Sequence, residues 1–152
     1  MPESGLSAGS DDAALLGSVE HYLRRARERR APLVLVVDRD PAWLGSLADQ
    51  FARLNCRLLV APQPAAADLL IERIRPTLVL WGADPDPALT LAWLERLMAL
   101  VPPPRLAVLL DRTHAGRDLA AEVQALGALG VLYRPPQADA VLDAVRTWAG
   151  LP

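Results

Sequence analysis

The chain has 152 residues and a formal net charge of -2, with 16 basic residues, all of them arginine, against 18 acids. Hydrophobic residues make up 52% of it, enough to build one domain with a real core and too many for a disordered chain; the near-neutral charge excludes a general nucleic-acid binder. The single cysteine, Cys56, excludes an internal disulfide, the longest charge-free run (Val123 to Tyr133) is too short to span a bilayer, and the first residues lack a basic stretch followed by an apolar core, so a cytoplasmic protein with no membrane association is expected.

Residues 1–10 are small and polar and read as a disordered lead-in. Ser10, Asp11 and Asp12 form a helix start, a capping side chain followed by acids at the positive end of the dipole. Leu15, Leu16, Val19, Tyr22, Leu23 and Ala26 recur at helical spacing, and arginines from Arg24 to Arg30 close the segment before Ala31-Pro32 stops it. Residues 11–31 therefore read as an amphipathic helix ahead of a domain spanning 32–152. The arginines stand at a helix end, where cations are favoured, and no aromatic residue beyond Tyr22 interleaves with them, so a solvated end is expected rather than a nucleic-acid contact.

From Leu33 the pattern changes. Leu33 to Val37 is a continuous apolar, β-branched run suited to a strand buried on both faces. Pro41 opens the first helix of the domain, with Trp43, Leu44, Leu47, Phe51 and Leu54 on one side. Alternating segments follow: a strand at 57–61, a helix at 65–73, a strand at 77–81 and a helix at 88–101 with Leu89, Ala92, Trp93, Leu97 and Leu100 inward. Pro102-Pro103-Pro104 forces an extended approach to a strand at 106–110, and a helix at 117–126, a strand at 131–133 and a helix at 138–148 complete the chain. No internal repeat is visible. Five strands alternating with five helices predict a three-layer α/β fold, a flavodoxin-like parallel sheet of order 2-1-3-4-5, whose chemistry would lie at the carboxyl ends of the strands.

Those ends are Asp38 to Asp40, Gly82 to Asp86, Leu110 to Thr113 and Arg134 to Pro136. Asp38 and Asp40 could offer oxygen ligands to a hard cation, but Arg39 between them competes for the same carboxylates. Asp84 and Asp86 each precede a proline, as turn and cap residues do. His21 and His114 stand alone, Cys56 reads as a buried inert thiol, and there is no nucleophile elbow, phosphate-cradling glycine loop or zinc spacing. No catalytic residue, cofactor or metal is expected, and no enzyme.

Three segments together resemble the receiver domain of bacterial response regulators, over roughly Pro32 to Gly150. They are Val36-Val37-Asp38-Arg39-Asp40-Pro41, Pro76-Thr77-Leu78-Val79-Leu80-Trp81-Gly82, and Ala125-Leu126-Gly127-Ala128 followed by Val131-Leu132-Tyr133-Arg134-Pro135. The resemblance implies transfer of phosphate from a histidine kinase to an aspartate with magnesium. It also implies a second acid for the metal, a hydroxyl after the fourth strand, a lysine before the strand-5 proline and an aromatic switch residue. Carried over by position, Asp38 matches the first acid and Arg39 stands where the second should be. Gly82 holds the acceptor position, and Leu109 (or Leu110 or Asp111 if the strand shifts) the hydroxyl position. Arg134 replaces the lysine, Val131 takes the aromatic position, and the Arg134-Pro135 bond is expected to be cis as in the family. Glycine cannot be phosphorylated and leucine cannot hydrogen-bond a phosphoryl oxygen.

The expectation is a pseudo-receiver, a phosphorylation-independent protein-protein interaction module in bacterial signal transduction. Its partners would be other signalling proteins or a second copy, with no nucleic acid. The expected surfaces are the amino-terminal helix (Leu16, Val19, Leu23) and the fourth helix, fifth strand (Val131, Tyr133) and fifth helix. The alternative is an anion- or nucleotide-binding crevice built on Arg39, Arg112 and Arg134, or a receiver phosphorylated atypically, for instance at Asp84.

Overall fold

A computed structural model describes residues 16–21, 31–45, 47–112 and 118–151. The chain divides into two units, Met1–Ala31 and Pro32–Pro152. In the first unit residues 16–21 are helical, and Leu16 and Val19 are exposed. The lead-in, Leu23 and the arginine cluster lie outside the described residues.

The second unit holds five strands: β1 (Leu33–Val37), β2 (Arg57–Ala61), β3 (Leu78–Gly82), β4 (Leu106–Leu110) and β5 (Val131–Tyr133). They form one parallel sheet in the order β2-β1-β3-β4-β5, as expected for the flavodoxin-like receiver fold. Between them run a 3-10 turn (Pro41–Leu44) and the helices α1 (Ala48–Arg53), α2 (Pro64–Ile74), α3 (Pro87–Met98), α4 (Ala120–Ala125) and α5 (Ala138–Ala149). Every residue of β1 and β4 is buried, whereas β2 at the edge is half exposed. This is why β1 and β4 read as unbroken apolar runs.

Alternate side chains of each strand serve opposite layers. Leu35, Val37, Val79, Trp81, Val108 and Leu110 pack with Ala67 and Ile71 of α2, Leu94 and Leu97 of α3, and Val123 of α4. Val34, Val36, Leu78, Leu80, Ala107 and Leu109 pack with Leu44, Leu47 and Phe51 on one side and Val141 and Val145 of α5 on the other. Each fully buried Leu, Val or Phe contributes about 1.5–3 kcal/mol relative to exposure, and the sheet collects such residues on both faces.

Some expected boundaries and faces need correction. The third strand begins one residue later than expected and includes Gly82. The first helix is split into the 3-10 turn and the short α1. On α3 the inward residues are Thr90, Leu94 and Leu97, while Leu89 and Ala92 face solvent. Six of the first eight residues of α3 are apolar, so periodicity could not fix its phase. The buried Thr90 decides it: its Oγ1 accepts a 2.8 Å hydrogen bond from the Asp84 backbone N–H. The helix starts are chemically ordinary. Asp40 accepts from the Ala42 N–H and Asp86 from the Ala88 N–H, each just before a proline at the first helical position.

Candidate functional site

At the carboxyl ends of the strands a crevice of about 230 Å3 opens, lined by Asp38, Arg39, Asp40, Gly82, Asp84 and Arg134 together with a wall of Pro62, Pro64, Trp81 and Trp93. The fold brings these residues together by prolonging its ladders. The Asp38 N–H donates to the Ala61 carbonyl, the Ala83 N–H to Leu109 and the Arg134 N–H to Leu110, so each residue leaves its strand in a fixed direction. The Arg134–Pro135 bond is cis, as the resemblance led one to expect; Val101–Pro102 is a second cis bond.

Asp38 is the centre of the arrangement and is only 4% exposed. Both its oxygens are engaged. Arg134 Nη2 stands 3.0 Å from Oδ1, and the Trp43 Nε1–H donates to Oδ2 over 2.9 Å. The Asp40 N–H adds a longer bond to Oδ1. Arg134 reaches Asp38 past β4 and β3. Its Nη1 donates to the Ala83 carbonyl and lies 3.7 Å from Asp111 Oδ1. The guanidinium is thus held on several sides, in the forked geometry that suits arginine.

Gly82 lies beneath this bridge. A Cβ built on Gly82 would stand 2.5 Å from Arg134 Nη2, 2.8 Å from Asp38 Oδ1 and 2.9 Å from Asp38 Cγ. The space that any side chain at position 82 would enter is filled by the Asp38–Arg134 pair. Leu109 is the neighbour of Gly82 in the sheet register and is wholly buried in the core layer shared with α1 and α5. Leu110 points to the other layer, so Leu109 is the strand-4 residue that shares a face with Gly82.

Arg39 turns away from Asp38 and meets Asp84 Oδ2 at 2.7 Å, its side chain largely in solvent. Asp84 also accepts from the Asp86 N–H, the turn role its Asp-Pro context implies. Arg112 does not line the crevice. It stands over the Tyr133 ring, 5.4 Å from its centroid. The Tyr133 hydroxyl donates to both carboxylate oxygens of Asp118, at 3.0 and 3.2 Å. Partial burial, then the Asp118 bond and charge, raise the Tyr133 phenol above its ordinary range, with Arg112 opposing. Val131 is half-buried on the same edge strand, and Pro135 is exposed.

Reading the sequence by position found Asp38, Gly82 and Arg134 but not Trp43 as their partner. Trp43 looked like one more inward residue of a helix. The signal available was Pro41 after Asp-Arg-Asp, which starts a turn tight enough to bring residue 43 back over residue 38. Trp93 stacks obliquely on Trp81, with centroids 5.8 Å apart, and its helical spacing alone marks it only as a core residue.

Solved structures of response regulators and receiver domains share this architecture. The chain is similar to the receiver domain of the Francisella response regulator 1452, at 21% identity and TM-score 0.64 over 78% of this chain and 97% of that one. It is similar to a response regulator from Thermotoga maritima, at 20% identity and TM-score 0.68 over 79% and 98%. It is also similar to the signal receiver domain of an HD domain-containing protein from Pseudomonas fluorescens Pf-5, at 21% identity and TM-score 0.61 over 79% and 95%. These likenesses establish the fold. No family model matches the sequence, and no curated protein matches it. Among the described residues, no helix is long and apolar enough to cross a membrane.

Proposed function

We propose that this chain is a non-enzymatic receiver-like module of bacterial signal transduction that works without phosphorylation, by contact with other proteins in the cytoplasm. The observation that carries the reading is the ion pair over Gly82. In a phosphorylated receiver that space belongs to the acceptor carboxylate and the metal beside it. Here position 82 offers no side chain, and a guanidinium lies against Asp38.

The donor set does not suit magnesium. A hard dication needs several free oxygen ligands, and both Asp38 oxygens already accept strong hydrogen bonds from Arg134 and Trp43. Arg39 would add repulsion where a second carboxylate is required. At the strand-4 position Leu109 has no hydroxyl and is sealed in the core. The resting arrangement instead resembles a receiver fixed in one state: Arg134 supplies permanently a positive charge beside Asp38, and the Tyr133–Asp118–Arg112 cluster holds the edge of the sheet. Surfaces open to protein partners include the exposed residues 16–21 and the α4–β5–α5 face. An anion site shared by Arg39, Arg112 and Arg134 has less support, since the first and last each face a carboxylate and Arg112 lies over Tyr133.

The test is incubation with magnesium and acetyl phosphate or beryllofluoride, followed by intact mass and melting temperature. The expected result is neither a mass gain nor a shift. An acyl phosphate on Asp38 or Asp84 would overturn the reading.

A further inference from the structure

At the opposite end of the sheet a larger groove, about 550 Å3, lies between the α2–β3 and α3–β4 connections. Ile71, Pro76 and Leu100 line it, with Val101 and the three prolines that follow. Its chemistry is unlike that of a small-molecule pocket, which needs a few convergent polar groups. The Thr77 hydroxyl at its floor already accepts from the Leu33 N–H, and the Arg105 Nε–H donates to the Trp148 carbonyl.

Two features point to what covers it. Val101 stands on the lip of the groove and is 91% exposed, an apolar side chain with nothing packed over it beside an apolar hollow. On the same rim are Glu72 and Arg75, opposite charges three residues apart at the end of α2; neither forms an ion pair with another described residue. A two-fold interface sets the same patch against itself, so residue i meets j and j meets i. A surface carrying both a hollow and the projection to fill it, and both an acid and a base, is self-complementary under that operation. A partner of strong single-sign charge would find no match here.

We propose that this groove is a homodimer surface. Val101 and Pro102 of each copy seat in the groove of the other, and Glu72 of each copy pairs with Arg75 of the other. The proposal concerns the end of the sheet away from the crevice and stands whether or not the crevice accepts phosphate.

Sedimentation velocity of the full chain over a concentration series tests it. The expected result is reversible monomer–dimer exchange, weakened about tenfold or more by Val101→Asp and by Glu72→Arg alone, with affinity recovered in the double reversal Glu72→Arg with Arg75→Glu. Since Val101 is nearly fully exposed, its variant is expected to match the wild-type melting temperature at concentrations where the wild type is monomeric, which separates lost association from lost folding. Two results would overturn the proposal. One is a monomer at every concentration, as expected if a different protein covers the groove. The other is association that survives Val101→Asp and Glu72→Arg but disappears with Leu16→Glu, which would put the interface on the amino-terminal helix.

Discussion

At the carboxyl end of the sheet, Asp38, Asp84, Asp111, Arg39 and Arg134 meet in three ion pairs, and the most buried of them is also held by an indole. At the amino end, Glu72 and Arg75 rim an apolar groove and make no ion pair with any described residue. The first end is dense in charge and closed on itself; the second is sparse in charge and open. A cluster of ionisable residues at the functional end of a fold is therefore not by itself a ligand site. What matters is whether their hydrogen-bonding capacity is already spent inside the chain. By that measure the carboxyl end holds the domain together and the amino end is left for a partner.

Substitutions can break or sharpen this contrast. Arg134→Ala is expected to have the largest effect. It leaves a buried carboxylate without its cation, at a cost of about 2–4 kcal/mol in urea unfolding, less than for a fully buried pair because the arginine is partly in solvent. Gly82→Ala follows at about 1–3 kcal/mol, because its Cβ must push the pair apart. The two changes should be non-additive: with Arg134 already shortened, the added methyl meets less, and a cost that stays the same in both backgrounds would locate the clash elsewhere. Trp43→Phe removes one hydrogen bond to Asp38 and should lower stability by about 1–2 kcal/mol in thermal unfolding.

A smaller effect belongs to the helix layer. Burial raises the Asp68 carboxyl above its ordinary 3.8, with Arg96 opposing and Glu72 adding to the rise. Folded protein then holds that proton to higher pH than unfolded chain, so stability falls as pH rises through the interval above 3.8. Asp68→Asn should remove this slope, a difference of less than about 1 kcal/mol, seen by comparing melting temperatures of the two proteins at about pH 3 and about pH 7. Smallest of all, Val101→Asp should leave unfolding of the monomer unchanged to within about 0.5 kcal/mol, because Val101 is almost fully exposed.

The strands were legible because apolar runs bounded by prolines and charges allow few other structures: Leu33–Val37 and Leu106–Leu110 are bounded as expected. The face of α3 was not legible, since Leu89, Leu91, Trp93, Leu94 and Leu97 surround most of the helix and the one decisive residue, Thr90, is polar. At the crevice, position along the chain identified Asp38, Gly82 and Arg134. It could not reveal that they touch, because the contact joins residues 96 apart in sequence through side-chain reach across two strands. The amino-end groove carried no motif at all. Pro102-Pro103-Pro104 read only as an approach to a strand, and a concave surface between two connections exists only once the helices are packed.

The glycine at position 82 also constrains the order in which this molecule can change. A side chain introduced there first collides with the Arg134–Asp38 pair. Shortening Arg134 first strands Asp38 in the interior. Either single step passes through a less stable protein, and making both removes the contact with Arg134 but leaves Asp38 without its cation and still against the new side chain. Positions 82 and 134, one at the end of β3 and the other just past β5, are therefore coupled through Asp38, and any side chain at position 82 requires both Arg134 and Asp38 to move.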